Sequence, residues 1–402
     1  MMDIIQIVLL LLLGFPLAYL AFLSALAFIA PRRHSQVAVL FRRFAVVVPA
    51  HDEESSIAET VQSLRSVWYP PSRFDVAVIA DNCSDRTAER ARAEGAVVLE
   101  RTSAEERGKG YALQWAFGRL LQEGYEAFVV CDADTVVSRN LLIEVNGALE
   151  RGAMACQCND QVRPSPDSWS AEATRAGFLL YNYVRPLGRS MFGGSAGLRG
   201  NGMAFAADTL RQIPWQAFSR AEDLEYGLVL LLNGIRVWFV PDAHVLATMP
   251  TDARNAESQR ARWESGRFPI VRRFAWPLLN GAIREGSFRL LDAWIDLLTP
   301  PFVNVMTWVA GMIALNAVLW AFGVTQTPLF ILLWGAVALM GLFHALVGFA
   351  AAGTLGDVMG LLRHVPRYAT WKIGLYLRLF TGGDTSRWVR TTREAPSFQK
   401  EP

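Results

Sequence analysis

The sequence predicts an α/β protein: a mostly parallel sheet covered on both faces forms a soluble middle, attached to about three transmembrane helices and to amphipathic interface helices. Three observations predict it. Residues 4–30 and 297–356 carry no Asp, Glu, Lys or Arg, and each exceeds the roughly 20 apolar residues a helix needs to cross a hydrocarbon core about 30 Å thick. Between them lies ordinary charged globular sequence. From residue 44 to 150, short β-branched runs alternate with stretches of helical periodicity. Composition agrees, since 52% hydrophobic and 19% charged residues among 402 are too apolar for a disordered chain. With 39 basic against 37 acidic side chains, the net charge of +2 excludes a nucleic-acid-binding polyelectrolyte.

Residues 1–31 are read as the first span. A cleaved leader is disfavoured because Met1-Met2-Asp3 supplies no basic segment ahead of the apolar run. The second uncharged block, within residues 299–352, accommodates two crossings at about 302–324 and 328–352, joined at Thr325-Gln326-Thr327. Arg32, Arg33, Arg42 and Arg43 follow the first span. Arg267, Arg272 and Arg273 precede the second, and Arg363, Arg367 and Lys372 follow the third. The N-terminus and the Thr325 turn carry no Lys or Arg, so the positive-inside rule places the middle and the tail in the cytoplasm of a multi-pass inner (plasma) membrane protein. Residues 267–298 and 353–402 mix basic and apolar residues with Trp276, Trp294, Tyr368, Trp371 and Tyr376, as helices lying among lipid headgroups do. Cys83, Cys131, Cys156 and Cys158 show no zinc-type spacing and suit a reducing compartment.

The soluble middle spans residues 38–266. Residues 44–49 read as a strand, and Ile57, Val61 and Leu64 then recur at helical spacing. Residues 76–80, 96–99 and 127–131 read as further strands, with helices from near Ser84 and Lys109 between them. Such sheets bind ligands outside the carboxyl ends of their strands. Glu53 and Glu54 follow the first strand there, Asp81 and Asn82 the second, and Asp132-Ala133-Asp134 the fourth, while Arg107-Gly108-Lys109-Gly110 leaves the third. Each alone is an ordinary turn or cap residue; four strand ends delivering such groups to one rim are not. Asp132 and Asp134 can hold a hard divalent cation that completes its shell with water and substrate phosphates. Lys109 adds a cation and loop N–H groups beside the same phosphates, although Gly-Lys-Gly lacks the Ser/Thr of a Walker motif. Asp81 and Glu53 then face the nucleoside.

The motifs resemble those of the inverting family 2 glycosyltransferases. Val48-Pro49-Ala50-His51-Asp52-Glu53 is similar to their Pro-x-x-Asn-Glu opening, and Ala80-Asp81-Asn82-Cys83-Ser84-Asp85 to Asp-Asp-Gly-Ser. Asp132-Ala133-Asp134 resembles the metal-binding Asp-x-Asp, Ala221-Glu222-Asp223 the Thr-Glu-Asp motif, and Gln259-Arg260-Ala261-Arg262-Trp263 matches Gln-x-x-Arg-Trp in full. Their order over residues 44–267 is that of cellulose, chitin and hyaluronan synthases and of ceramide glucosyltransferases, and residues 388–393 also resemble the ends of bacterial relatives. Asp52, Ala80 and Ala221 depart from the family pattern.

The resemblance implies a GT-A (Rossmann-like) fold and a direct attack by an acceptor hydroxyl on the anomeric carbon of a UDP-sugar. Asp223 is then the general base, with Glu222 orienting it or touching the acceptor. Ala50, Glu53, Asp81, Lys109, Asp132 and Arg262 bind the nucleotide sugar. Asp132 and Asp134 bind Mg²⁺ or Mn²⁺. Gln259, Trp263, Gly200 and Asn201 border the acceptor, the last two within the permissive run of residues 193–202. His51 and His244 are expected to make local fold contacts. The leading expectation is a processive polysaccharide synthase, which with three spans needs a homo-oligomer or an export partner. The alternative transfers one sugar to a lipid: ceramide, diacylglycerol or polyprenyl phosphate. A silent scaffold has no reason to keep Asp132, Asp134, Asp223, Arg262 and Trp263 together, and a transporter would carry acidic residues within its spans.

Overall fold

A computed structural model describes residues 2–31, 40–164, 169–248, 253–325 and 327–356; in the helices at 169–178 and 253–285, side chains are described from residues 171 and 266 onward. The basic residues Arg32, Arg33, Arg363, Arg367 and Lys372, the aromatic residues Tyr368, Trp371 and Tyr376, and residues 388–393 fall outside these ranges. The chain forms two compact units. One comprises Met1–Arg32, Leu179–Gly194 and Pro277–Thr381, the other Arg33–Phe178, Ser195–Trp276 and Gly382–Pro402.

The second unit is built on one eight-stranded sheet. Its strands are β1 (Phe44–Ala50), β2 (Phe74–Asp81), β3 (Val97–Arg101), β4 (Ala127–Val130), β5 (Thr135–Val137), β6 (Ala155–Val162), β7 (Met203–Ala206) and β8 (Val237–Ala247), in the order β3-β2-β1-β4-β7-β6-β8-β5. The first four are parallel, as their continuous apolar runs predict. Beyond β4 the sheet is mixed, where a mostly parallel sheet was expected: β7 runs antiparallel to β4 and β6, β6 parallel to β8, and β8 antiparallel to β5. The reversal has a local cause. Met203 pairs with Val130, the last residue of β4, so β7 enters the sheet at the rim where β4 leaves it.

Side chains alternate across the sheet with period two. Val46, Val48, Val76, Val78 and Val129 face one layer with Ile57, Val61, Leu64, Leu141 and Val145. Val47, Ala77, Ile79, Phe128 and Val130 face the other with Leu113, Phe117, Trp215 and Tyr226. Helices therefore cover both faces, and the carboxyl ends of β1, β2 and β4 stay open as a rim.

Among its described residues, the first unit contains three helices long and apolar enough to cross a membrane: Asp3–Phe28, Phe302–Ala321 and Leu329–Ala351, of 26, 20 and 23 residues. Their polar side chains bond to one another. Gln6 Nε2 donates to Asn316 Oδ1 over 2.9 Å, Trp334 Nε1 donates to Gln6 Oε1 over 2.9 Å, and Ser24 Oγ lies 2.7 Å from His344 Nδ1. In an apolar medium such groups must find partners within the protein. His344 also approaches the Leu20 carbonyl at 3.1 Å, so it has the partners that its sequence position alone did not reveal.

The same unit includes the helices Arg185–Met191 and Phe288–Leu298, joined by a buried charge network. Arg185 Nε donates to Asp296 Oδ1 over 2.5 Å, and Arg189 donates to Asp292 Oδ2 through Nε and Nη2 at 2.8 and 2.6 Å. Arg189 Nη1 also pairs with Asp296 Oδ2 at 3.0 Å, and Tyr19 Oη donates to Asp292 Oδ1 over 2.7 Å. Two Arg four residues apart meet two Asp four residues apart, which is one helical face against another. The Phe288–Leu298 helix buries Asp292 and Asp296 together with Leu290, Ala293 and Leu297, and leaves Phe288 and Leu298 at its two ends exposed.

Candidate active site

The rim begins with two residues in left-handed backbone conformation, Asp52 after β1 (φ 54) and Asn82 after β2 (φ 53). Asp and Asn tolerate this region better than other side chains, and each is tied down. Asp52 Oδ1 accepts from the Ser84 and Asp85 amides at 2.6 and 3.3 Å, and Asn82 Oδ1 accepts from the Ser103 amide at 2.9 Å. Burial pushes the Asp52 carboxyl up, but the bonds from the Ser84 amide and hydroxyl outweigh it and hold the group below the usual carboxylate range. His51 Nδ1 lies 2.7 Å from the Asp81 carbonyl, the local contact expected of it. His244 likewise lies 3.1 Å from Asn159 Nδ2.

Asp52, Cys83 and Asp85 bring three ligand atoms within 4.8 Å of one another, the one such group among the described residues. Its chemistry is that of a loop brace. Asp85 Oδ1 accepts from the Thr87 amide at 2.9 Å and Oδ2 from the Glu54 amide at 3.1 Å, while burial pushes the Cys83 thiol up and away from thiolate. Glu53 sits in the same brace: its amide donates to Thr87 Oγ1 over 2.8 Å, and its Oε2 accepts from Ser56 Oγ at 3.0 Å. Asp81 is buried, with Oδ1 accepting from Arg101 Nη1 at 2.7 Å and from Asn82 Nδ2 at 3.1 Å. Ala50 closes β1 in parallel pairing with Ala80. Its Cβ is buried, so its backbone is what it offers a ligand.

The helix Lys109–Leu120 starts at the next strand end. Lys109 Nζ donates to Asp132 Oδ1 over 2.5 Å and to the Gly200 carbonyl over 2.6 Å. Burial disfavours the ammonium, but the carboxylates of Asp132, Glu222 and Asp223 outweigh burial and keep Lys109 charged. A Cβ on Gly200 (φ +83) would stand 3.3 Å from Asp223 Oδ2 and 3.6 Å from Lys109 Nζ. Asp132, Lys109, Gly200 and Asp223 therefore converge on one place, although they come from four segments of the chain.

Glu222 and Asp223 open the helix Glu222–Leu232. Burial and the neighbouring Asp223 charge push Glu222 up to about 7. Burial raises Asp223 as well, opposed by the Leu224 amide at the helix N-terminus and by Lys109 and Arg199. Two carboxyl groups side by side with raised affinity for protons have the properties of a base working near neutrality. Glu225, three residues after Glu222, braces the fold instead, accepting from the Ser219 amide at 3.1 Å and pairing with Arg273.

Asp134 is buried behind Asp132, and Asp160 of β6 lies close enough for both charges to raise its carboxyl. Sequence reasoning misses Asp160, because an acidic residue inside a strand carries no turn or motif signal. Asn201, expected to border the acceptor, has its amide engaged on both sides: Oδ1 accepts from the Asp132 amide at 3.1 Å, and Nδ2 donates to Thr135 Oγ1 and Asp160 Oδ1 at 3.1 and 3.2 Å. Asp132 and Asp134 offer hard oxygens of the kind a divalent cation takes alongside phosphate and water, although with Asp160 they do not bring three ligand atoms within 4.8 Å of one another. The side chains of Gln259, Arg262 and Trp263 lie outside the described residues.

A parallel α/β core with carboxylates and a lysine at its open rim, followed by an acidic pair at a helix start, defines a nucleotide-dependent transferase class. Residues 42–266, more than half of the chain, match the family described as glycosyltransferase like family 2, and the chain belongs to that family. Its fold is of the GT-A type, and the described residues include three apolar helices outside the matched region. A β-monoglucosyldiacylglycerol synthase of Trichormus variabilis is 27% identical over 264 residues, covering 63% of this chain and 55% of the relative. A probable glycosyltransferase of Bacillus subtilis, YdaM, is 22% identical over 243 residues, covering 58% and 57%. The chain thus spans about half the length of the curated relatives it matches. Among solved structures, a mannosyltransferase from Pyrobaculum calidifontis, in complex with GDP-Man and Mn²⁺, superposes with a TM-score of 0.57 at 20% identity over 88% of this chain and 99% of that one. The likeness shows the shared fold.

Proposed function

We propose that the protein is an inverting, membrane-bound glycosyltransferase that moves one sugar from a UDP-sugar to the hydroxyl of a lipid. The convergence of Lys109, Asp132, Gly200 and Asp223 carries this reading, because a carboxylate able to serve as base and an ammonium able to neutralise phosphate lie close together. Asp223 removes the proton from the acceptor hydroxyl as that oxygen bonds to the anomeric carbon. The bond from that carbon to the diphosphate oxygen breaks on the opposite side, and UDP leaves. Burial keeps the proton affinity of Asp223 high, and the Asp223 charge in turn raises that of Glu222. Lys109 offsets the charge that accumulates on the leaving group. Asp132 and Asp134 would hold Mg²⁺ or Mn²⁺, which when bound supplies Lewis-acid stabilisation of the diphosphate. Asp81 and Glu53 serve the nucleoside, Arg262 the phosphates, and Gln259 and Trp263 the acceptor, as their motif positions imply.

Two observations favour a lipid over a polysaccharide. The matched relatives include diacylglycerol glucosyl synthases, whereas a cellulose synthase subunit of Dictyostelium discoideum matches over only 30% of this chain. Among the described residues, Gln6, Ser24, Asn316, Trp334 and His344 of the three apolar helices also bond to one another, where a polymer path would need them facing a lumen. The arginine distribution supports a cytoplasmic site at the inner membrane. The test is incubation of the detergent-purified protein with radiolabelled UDP-sugars and total membrane lipid. Label in an organic-extractable glycolipid is the expected outcome. A high-molecular-weight polymer would replace the lipid reading with that of a processive synthase, and the absence of UDP release with any donor would remove both.

A further inference from the structure

We infer that Asn201 is a positioning residue: its amide clamps both ends of the Asp132–Thr135 turn and so sets the separation at which that turn presents its carboxylates. The inference rests on the proposed reading of the site. It begins from the chain around Asn201. Gly200 and Gly202 both adopt left-handed conformations, φ +83 and +70. A Cβ at Gly202 would meet Val245 Cγ2 at 2.8 Å and Cys158 Cβ at 2.9 Å, so the backbone there packs against β6 and β8 as only glycine allows. The Gly202 amide donates to the Val130 carbonyl over 2.9 Å, and its carbonyl accepts from the Cys158 amide at 2.8 Å. The Asn201 carbonyl accepts from Gln157 Nε2 at 2.7 Å, and the Arg199 amide donates to Gln157 Oε1 over 2.8 Å. Asn201 is thereby fixed to the sheet on both sides and is 3% exposed.

From this anchored position the side chain reaches the first residue of the turn through Oδ1 (Asp132 N, 3.1 Å) and the last through Nδ2 (Thr135 Oγ1, 3.1 Å). Nδ2 also donates to Asp160 Oδ1 over 3.2 Å. The three bonds need one acceptor and two donors on a short, planar, uncharged group. Asparagine supplies them; aspartate could accept but not donate. Lys109 holds the Asp132 carboxylate and Thr60 Oγ1 the Ala133 carbonyl, while the Asn201 amide joins the first residue of the turn to the last. An outer residue that orients ligands in this way typically governs metal affinity by about 10–100-fold. A residue bordering the acceptor, as the sequence suggested, would govern acceptor affinity.

The experiment measures Mn²⁺ affinity by calorimetry in the presence of UDP, together with acceptor KM and thermal unfolding in detergent, for wild type, Asn201→Ala, Thr135→Val and Thr135→Ser. Positioning predicts a loss of about 10–100-fold in Mn²⁺ affinity for Asn201→Ala, a smaller loss for Thr135→Val, affinity retained in Thr135→Ser, and acceptor KM unchanged throughout. A folded Asn201→Ala protein with wild-type Mn²⁺ affinity overturns it, as does a rise in acceptor KM alone. A fall in unfolding temperature for Thr135→Val with Mn²⁺ affinity intact overturns it in favour of a purely structural contact. If wild type itself binds no Mn²⁺ with UDP, the site reading fails before the variants are compared.

Discussion

Asp223 lies at a helix start beside a second carboxyl, where burial raises its proton affinity and the Leu224 amide and the Lys109 and Arg199 charges lower it. Asp223→Asn should leave UDP-sugar binding intact and lower the transfer rate about 10²–10⁴-fold, checked by calorimetry alongside UDP release. The pair also fixes the pH dependence. Because burial and Asp223 hold Glu222 at about 7 against an ordinary 4.5, the pair keeps a proton across that window. Transfer should rise with pH from about 6 to 8 as the last proton leaves, and Glu222→Gln should move this limb to lower pH by removing one negative neighbour. The same shift means that the folded protein binds more protons than the unfolded chain between 4.5 and about 7, so stability falls as pH rises through that range. At this scale the sequence was partly legible. Asp132, Asp134 and Asp223 stood out because strand ends and motif spacing mark them. Asp160 and the bonding of Asn201 did not, since both depend on which strand comes to lie beside β4.

Among elements, legibility followed the pattern of side chains. β1, β4 and residues 76–80 of β2 are apolar throughout, and the structure extends or trims the expected strands by one or two residues. β3 reaches Arg101, a charge that reads as a strand end but is buried by its bonds to Asp81 and Glu106. β6 escaped notice because Gln157, Asn159, Asp160 and Gln161 break any apolar period, yet all are buried. The paired helices Arg185–Met191 and Phe288–Leu298 carry the element-scale prediction. Removing one partner leaves a buried charge without its counterpart, so Arg189→Met should cost about 3–5 kcal/mol in unfolding measurements. Replacing Arg185, Arg189, Asp292 and Asp296 together by apolar residues should restore much of it, because no buried charge is then left without its counterpart. Gly188→Ala tests the same region by packing, since the added Cβ would fall 2.3 Å from the Leu23 carbonyl. Its unfolding temperature should drop while the charges remain intact.

For the molecule as a whole, the sequence placed three spans around a globular middle, and the three apolar helices lie where it placed them, at Asp3–Phe28, Phe302–Ala321 and Leu329–Ala351. It did not reveal that residues 179–194 leave the middle to join the unit that contains those helices. Periodicity cannot register that departure, because Arg185 and Arg189 look like surface charges until their aspartates, more than a hundred residues later, are known. This interleaving governs how the protein can be dissected. A trimmed fragment of residues 40–276 would carry two guanidinium groups stripped of their counter-charges, and the complementary anchor would lack the same two cations. Such a fragment should precipitate unless Arg185 and Arg189 face detergent or are replaced, which sedimentation after expression would show. The family-matched unit and the unit of apolar helices are thus interwoven along the chain rather than laid end to end.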